Sequence, residues 1–221
     1  MEEVQLEPLC TKLAKDADRL FALEEANRLL EEVQKGLAAY LEKKRLFFPR
    51  FFFLSNDEML EILSETKDPT RVQPHLRKCF EGIHRLRFEG SVVKGMQSVE
   101  KEIVPFKTPI NTAQAKGAVE RWLVEVEARM FEAVHDVTAR GIQSFPAFPR
   151  HEWVLEWPGM VVLVVTAIYW TRNVEAAMMK EGAGEGGSVS AFAQQCTKDL
   201  MKVVQQAHRW SRPRGGAGTH C

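Results

Sequence analysis

Five phenylalanines fall within seven positions at FFPRFFFLS, residues 47 to 55, with Pro49 and Arg50 set between them. No other feature limits the fold of this chain as strongly. The segment is much shorter than the roughly 20 apolar residues a membrane-spanning helix needs, and it is too aromatic for a surface loop. Proline lacks an amide proton and moves the residue before it out of the helical region. The preceding helix is therefore expected to end near Arg45, and the aromatic segment to be extended. In that geometry Phe47, Phe51 and Phe53 point one way, and Phe48, Phe52 and Leu54 the other. Both faces are apolar, which predicts a segment sandwiched between helical layers. Burying one Phe is worth about 1.5–3 kcal/mol, so five together would match the roughly 5–15 kcal/mol stability of a whole domain. On this reading, replacing Phe51 and Phe52 by alanine costs about 3–5 kcal/mol for each.

The rest of the 221 residues can supply those layers: 45% are apolar and 27% charged, the profile of a folded globular protein. Thirty basic residues balance thirty acidic ones. No basic excess points to nucleic acid or to an anionic membrane. Cys10, Cys79, Cys196 and Cys221 are far apart, and the N-terminal MEEVQLEP is acidic and polar. This argues against a disulfide framework or a secretory signal and for a reducing, cytoplasmic setting. The longest apolar run, MVVLVVTAIYW, is also too short to span a bilayer, so a soluble intracellular chain is expected.

From Leu9 to about Lys44 only Gly36 weakens a helix. Leu23, Ala26, Leu30, Val33, Leu37 and Tyr40 form one stripe in steps of three and four. Asp16 and Arg19 spoil the seam upstream, which favours a helix packed in a bundle over a long free coiled coil. Ser55 and Glu58 make a capping box for a helix through Met59, Leu60, Ile62 and Leu63. Asp68–Pro69 marks a turn, and Pro74 opens a helix carrying Leu76, Phe80, Ile83 and Arg87. SVVKGMQSVEKEIVPF is rich in β-branched residues around a polar turn at Ser98 to Lys101, the pattern of a β-hairpin. Asn111–Thr112 is a cap for a helix whose stripe is Ala115, Val119, Trp122, Val126, Met130, Ala133 and Val137. Pro146 and Pro149 interrupt it in a loop. Pro158 then opens a buried helix to about Met179, favoured over a strand because the run is long and does not alternate. EGAGEGGS at 181 to 188 is a flexible joint. A last amphipathic helix with Phe192, Leu200, Val203 and Val204 ends near Trp210, and SRPRGGAGTHC has the composition of a disordered tail.

Residues that carry chemistry are sparse. Gly182, Gly184 and Gly187 satisfy G-x-G-x-x-G formally, but a helix precedes them where a dinucleotide site needs a strand. No G-x-x-x-x-G-K-[ST] occurs, so no phosphate loop is expected. His75 and Cys79 are half of a zinc site without a second pair of matching spacing, and core packing is the simpler reading. His151–Glu152 lacks the second histidine of H-E-x-x-H, Leu155 standing in its place. Glu31/Glu32 and Glu125/Glu127 suit solvated helix faces. Lys43, Lys44 and Arg45 suit the negative end of a helix dipole. No catalytic, cofactor-binding or metal-binding residue is expected.

The wording of AYLEKKRLFFPRFFFLSNDEMLEILSETKDPTRVQPHLRKCFEGIHRLRF at 39 to 88 resembles the linker region of dynein heavy chains, the axonemal ones above all. GMQSVEKEIVPF (95 to 106), VERWLVEVEARM (119 to 130) and WPGMVVLVVTAIYWTRNVEAAM (157 to 178) follow in the family's order, so the likeness runs from about Gln34 to Met179. It implies a mostly helical, elongated arch that lies across a ring of AAA modules and moves as ATP turns over there. The chain resembles the C-terminal part of that arch. Where the family continues into its first AAA module, this chain turns to EGAGEGGS and a further helix, as a product truncated before that module would.

The expected fold is therefore mainly α, an elongated multi-helix bundle or arch with one small β-hairpin. Its parts are residues 1–90 with the aromatic joint, 91–180 with the hairpin, the Gly-rich 181–188, a terminal helix at 189–210 and a tail at 211–221. Phe47, Phe48, Phe51, Phe52, Phe53, Trp122, Trp157 and Trp170 are the candidate structural or interface residues. The resemblance further implies force transmission without a nucleotide site in this chain, the family's ATP being bound elsewhere in the motor. The implied partners are the AAA ring, dynein intermediate and light chains and, indirectly, axonemal microtubules, within the cytoskeleton of a ciliary axoneme. The alternative is a truncated, free-standing helical protein that binds dynein or axonemal subunits.

Overall fold

Caps and prolines decide where the helices of this chain start and stop. The computed structural model describes residues 17–64 and 68–211; Cys10, Cys221, the first turns of the predicted N-terminal helix and the predicted tail lie outside them. Among the described residues the fold is mainly helical with a small antiparallel sheet. Two compact units divide it: Met1–Glu81 with Thr112–Val124, and Gly82–Asn111 with Glu125–Cys221.

In the first unit, α1 (Ala17–Phe47) ends where expected, just before Pro49. The aromatic segment after it is not extended. Pro49–Phe53 is a turn of 3-10 helix, and only its flanks, Phe48 and Leu54, have extended backbone. The proline rule holds for Phe48, the residue before Pro49. Beyond it, proline's fixed φ suits the first position of a new helix. With about three residues per turn, a 3-10 helix brings every third side chain to one face. Phe48, Phe51 and Leu54 are accordingly buried, whereas Phe47, Phe52 and Phe53 are exposed. The expectation that all five are sandwiched is corrected: two lock inward and three face outward.

Next comes α2 (Asn56–Ser64). Its capping box is formed as read, the Ser55 amide donating to Glu58 Oε2 at 3.0 Å and the Glu58 amide to Ser55 Oγ at 3.3 Å. A 3-10 stretch, Pro69–His75, leads into the single turn α3 (Leu76–Cys79). The helix expected to reach Arg87 stops there, because Phe80 turns extended.

The second unit opens instead with a strand, β1 (Arg85–Glu89), paired antiparallel to β2 (Val92–Gln97), which pairs in turn with β3 (Ile103–Asn111). The predicted hairpin is β2–β3, turned through Ser98 to Lys101 with the Lys101 amide donating to Ser98 O at 3.1 Å. β1 is an addition to it. RLRFE alternates in period two, with Leu86 buried between exposed Arg85 and Arg87, and this competes with the weaker helical spacing of Ile83 and Arg87. Gly95 sits opposite Pro105, where an added Cβ would lie 2.7 Å from Val104 O and 2.9 Å from Pro105 Cα. Backbone atoms cannot move aside cheaply. Gly95→Ala is expected to lower stability by about 2 kcal/mol, read as a drop in the urea midpoint at unchanged slope.

After a 3-10 turn at Thr112–Ala115, α4 (Val119–Ser144) starts later than the Asn111–Thr112 cap predicts, since Lys116 and Gly117 take left-handed φ values of 49° and 85°. Most of the expected stripe is in place: Val119, Trp122, Val126, Ala133 and Val137 are buried and Met130 is half-buried, whereas Ala115 falls in the preceding 3-10 turn. The predicted Pro146–Pro149 loop holds a 3-10 turn (Phe145–Ala147) and the short α5 (Arg150–Trp153). α6 (Gly159–Gly182) begins directly after Pro158, as read, with Glu102 Oε1 accepting from the Gly159 amide at 2.9 Å. A carboxylate at a helix N-terminus is favourably placed against the helix dipole. The apolar run in α6 is a helix but is not buried all round. Val161, Val165 and Ala177 are covered, while Leu163, Ile168, Trp170 and Met179 are exposed. Gly184 and Gly187, at φ 100° and 90°, turn the chain into α7 (Ser188–Ser211).

Candidate functional site

The aromatic joint is built from residues close in sequence and closed by α3. Phe48 meets Phe51 edge to face, with ring centroids 5.0 Å apart at 88°, and Phe80 at 6.0 Å. Edge-to-face rings gain about 0.5–1.5 kcal/mol beyond the area they bury. Arg50, which the 3-10 turn points back towards α3, donates from Nη1 to Cys79 O at 2.9 Å and places its guanidinium 4.8 Å from the Phe80 ring centre. The joint is thus pinned by two phenylalanines from one side and an arginine clamp from the other. Cys79, buried and free, has its thiol pushed up to about 11, chiefly by burial, and the nearby Glu58 charge adds to this. At neutral pH it is a small core residue and not a nucleophile. His75 Nε2 lies 3.3 Å from Glu61 Oε2, and among the described residues no three His, Cys, Asp or Glu side chains gather as metal ligands would.

Two charge contacts brace this unit. Lys44 Nζ donates to Glu120 Oε1 at 2.5 Å, tying α1 to the first turn of α4, with Glu120 buried. Removing one partner of such a pair leaves the other buried without compensation, at about 3–5 kcal/mol. Lys44→Met is expected to cost about 3 kcal/mol, and combining it with Glu120→Gln should restore part of the loss, in a double-mutant cycle by urea unfolding.

The second brace is Glu58, which accepts from Lys78 Nζ at 2.5 Å while closing the Ser55 cap. The Lys78 bond first and the Ser55 amide next hold its carboxyl at about 2, against an ordinary 4.5. A folded-state pKa below the unfolded one gives stabilisation that is present above pH 4.5 and is lost as pH falls from there towards 2. The expected result is a melting temperature that declines across that window, with a shallower decline in Glu58→Gln.

The second unit has its own aromatic cluster. Trp153 lies at its centre, buried among Val137, Val161 and Val165, with Ile142, Phe145, Trp157 and Tyr169 packed around. Phe145 meets Trp153 edge to face at 4.9 Å and stacks on Tyr169 at 4.4 Å. The indole Nε1 donates to Ser144 Oγ at 2.8 Å, and the Tyr169 hydroxyl to Ile142 O at 2.9 Å. Beside this cluster runs a groove of about 610 Å³ lined by Phe145, Arg150, Tyr169, Trp170, Phe192 and Cys196. Arg150 Nη1 donates to Thr166 Oγ1 at 2.6 Å, and burial lowers the guanidinium's pKa.

Of the residues singled out in the sequence, Phe48, Phe51 and Trp122 are buried, Trp157 is half-buried against Trp153, and Phe47, Phe52, Phe53 and Trp170 are exposed. Trp153 was not among them. Its signal was the four-residue spacing to Trp157 behind Pro149, one helical turn hidden in what reads as a proline loop.

What these features define is a mainly helical packing module, held by interlocked rings and edged with uncovered apolar faces. The family model described as "Dynein heavy chain, N-terminal region 2" matches residues 1–141. Dynein axonemal heavy chain 3 of Mus musculus is 59% identical over 184 residues, covering 83% of this chain and 4% of that protein. Its Homo sapiens counterpart is 60% identical over the same shares. Dynein axonemal heavy chain 12 of Homo sapiens is 51% identical over 83% of this chain and 6% of its own length. The chain belongs to the dynein heavy chain family, and it spans only about one twentieth of the length of these curated relatives. Among the described residues no helix is long and apolar enough to cross a membrane.

Proposed function

We propose that this chain is a force-transmitting linker segment of an axonemal dynein heavy chain, part of a microtubule-based, ATP-driven ciliary motor, with no nucleotide site of its own. The observation that carries this reading is the Phe48–Phe51–Phe80 joint clamped by Arg50. Packed rings resist gradual shear, because close-packed interiors deform little before they repack. That is what an element needs if it is to relay motion generated elsewhere. On this reading it works against the AAA ring of a heavy chain, alongside dynein intermediate and light chains, and reaches axonemal microtubules only indirectly. Phosphoryl transfer, with its ATP, belongs to the ring.

The test is made in a full-length heavy chain carrying Phe48→Ala and Phe51→Ala in this segment. Microtubule gliding should slow markedly while microtubule-stimulated ATP hydrolysis stays near normal. Gliding at normal speed with the joint weakened, or ATP hydrolysis by the 221-residue chain alone, would defeat the proposal. The exposed apolar residues of α1 and α6 favour a second reading, a free-standing helical protein that binds dynein or axonemal subunits. Failure of the tagged chain to retain any such subunit from axonemal extract counts against it.

A further inference from the structure

The groove of about 610 Å³ beside Trp153 is lined by three helices of the second unit: α5 supplies Arg150, α6 supplies Thr166, Tyr169 and Trp170, and α7 supplies Phe192 and Asp199. Its size falls within the roughly 300–1,000 Å³ of small-molecule sites. All of its lining residues stand after residue 141, where the match to the family model ends. Much of the lining is aromatic. Phe145 and Tyr169 stack on each other at 4.4 Å, and Trp170 is 56% exposed. Arg150 is held in place from two sides, its Nη1 donating to Thr166 Oγ1 at 2.6 Å and its guanidinium lying 5.9 Å from the Phe145 ring centre. Among the described residues no carboxylate forms an ion pair with it. Asp199 acts on it only through longer-range attraction, and both oxygens of that carboxylate accept from Gln195 Nε2 at 3.1 Å. A guanidinium has five N–H donors, so the bond to Thr166 leaves most of its fork without an acceptor among the described residues. A half-buried charge is stabilised by a partner that makes those bonds. The charged residues lining the groove are Arg150, Lys202 and Asp199, two positive and one negative.

We infer that this groove is a binding site for a small aromatic carboxylate, with the acid group on Arg150 and the ring against the aromatic wall. Three features select that class. A carboxylate matches the guanidinium fork, which can hold both of its oxygens. A single negative charge balances the groove's excess, whereas a phosphate group carries about 1.5–2 charges at pH 7 and would leave a surplus facing Asp199. A flat ring gains from stacking on Trp170 or Tyr169 beyond the area it buries, a gain that an aliphatic acid forgoes. The site does not depend on the force-transmitting reading, and either can fail alone.

The test titrates the whole 221-residue chain with 2-naphthoate, its neutral counterpart 2-naphthamide and 2-naphthyl phosphate, by calorimetry and by nuclear magnetic resonance. Saturable one-to-one binding of 2-naphthoate is expected at about 1 mM or tighter. The amide, equal in shape but uncharged, should bind at least about tenfold more weakly, since it loses the charge-assisted pair. Arg150→Lys should weaken the carboxylate and leave the amide unchanged, whereas Trp170→Ala should weaken both a few-fold. The indole N–H resonance that disappears in Trp170→Ala should be among those that 2-naphthoate shifts. Circular dichroism checks that each variant is folded, and should Arg150→Lys disturb the fold, the comparison of carboxylate with amide on the unchanged chain decides. No saturable binding up to about 5 mM overturns the inference. So do equal affinities for carboxylate and amide, which would leave an apolar groove only, tighter binding of the phosphate, or shifts that spare the Trp170 indole.

Discussion

Phe51→Ala lowers the stability of the first unit by about 3–5 kcal/mol, the range for emptying a buried phenylalanine site, while Phe52→Ala, one residue on, stays within about 0.5 kcal/mol. The two side chains are 1% and 59% exposed. Phe51 packs edge to face on Phe48 at 5.0 Å, and its amide donates to Phe48 O at 3.0 Å. Removing its ring opens a void against Phe48 without disturbing the turn that holds the backbone. The walls are set by the short 3-10 turn and cannot close by rotamer changes alone, which places the cost high in the range. Phe52 meets mainly solvent, so its loss sacrifices little burial. Urea unfolding of both variants, analysed at constant slope, gives the comparison. Equal losses would mean that the segment is extended with both faces covered, and a loss below 1 kcal/mol for Phe51 would mean that the joint does not stiffen this unit.

That contrast shows how much of the joint could be read in advance. The composition of FFPRFFFLS made burial of something unavoidable, and Pro49 fixed the end of α1. The sequence did not state the period. Proline is compatible with an extended residue before it and with a helical turn after it, and only the second option sets Phe48, Phe51 and Leu54 on one side. A period of two assigned Phe52 to the core, and a period of three assigns it to water. The Ser55–Glu58 box and the Val119–Val137 stripe were legible because each rests on spacing within one helix. β1 and Trp153 were not: the helical spacing of Ile83 and Arg87 competed with the alternation of β1, and Trp153 sits in one helical turn inside what reads as a proline loop. A five-residue strand has little pattern of its own, and Trp153 is buried only because Val137, Val161 and Val165 close over it.

The α1 stripe and the apolar run of α6 raise the opposite difficulty. The stripe of α1 and the long run of α6 were read correctly as apolar, yet burial did not follow all round, because apolar character reports what a face can pack against and not whether the same chain supplies the partner. A family member that represents about one twentieth of its relatives' length has most of those surfaces to find elsewhere.

The second large effect is expected at Trp153. Trp153→Ala should cost about 3–5 kcal/mol from the cavity alone. A further penalty of roughly 1 kcal/mol follows because Ser144 Oγ loses the donor it accepts from at 2.8 Å. Trp153→Phe separates the two contributions. It keeps most of the ring between Phe145, at 4.9 Å, and Trp157, at 6.1 Å, but removes the indole donor, so a loss of about 1–2 kcal/mol is expected. The same pair of variants distinguishes a packing role from a polar one. If cavity formation dominates, alanine is far worse than phenylalanine. Because the second unit contains both the sheet and the α6–α7 turn, the loss should also appear as faster amide exchange in α6, beginning at Val161 and Val165, which form the other wall of the cluster. Equal destabilisation by the two substitutions would show that the Ser144 hydrogen bond, and not the interlocked rings, holds this unit together.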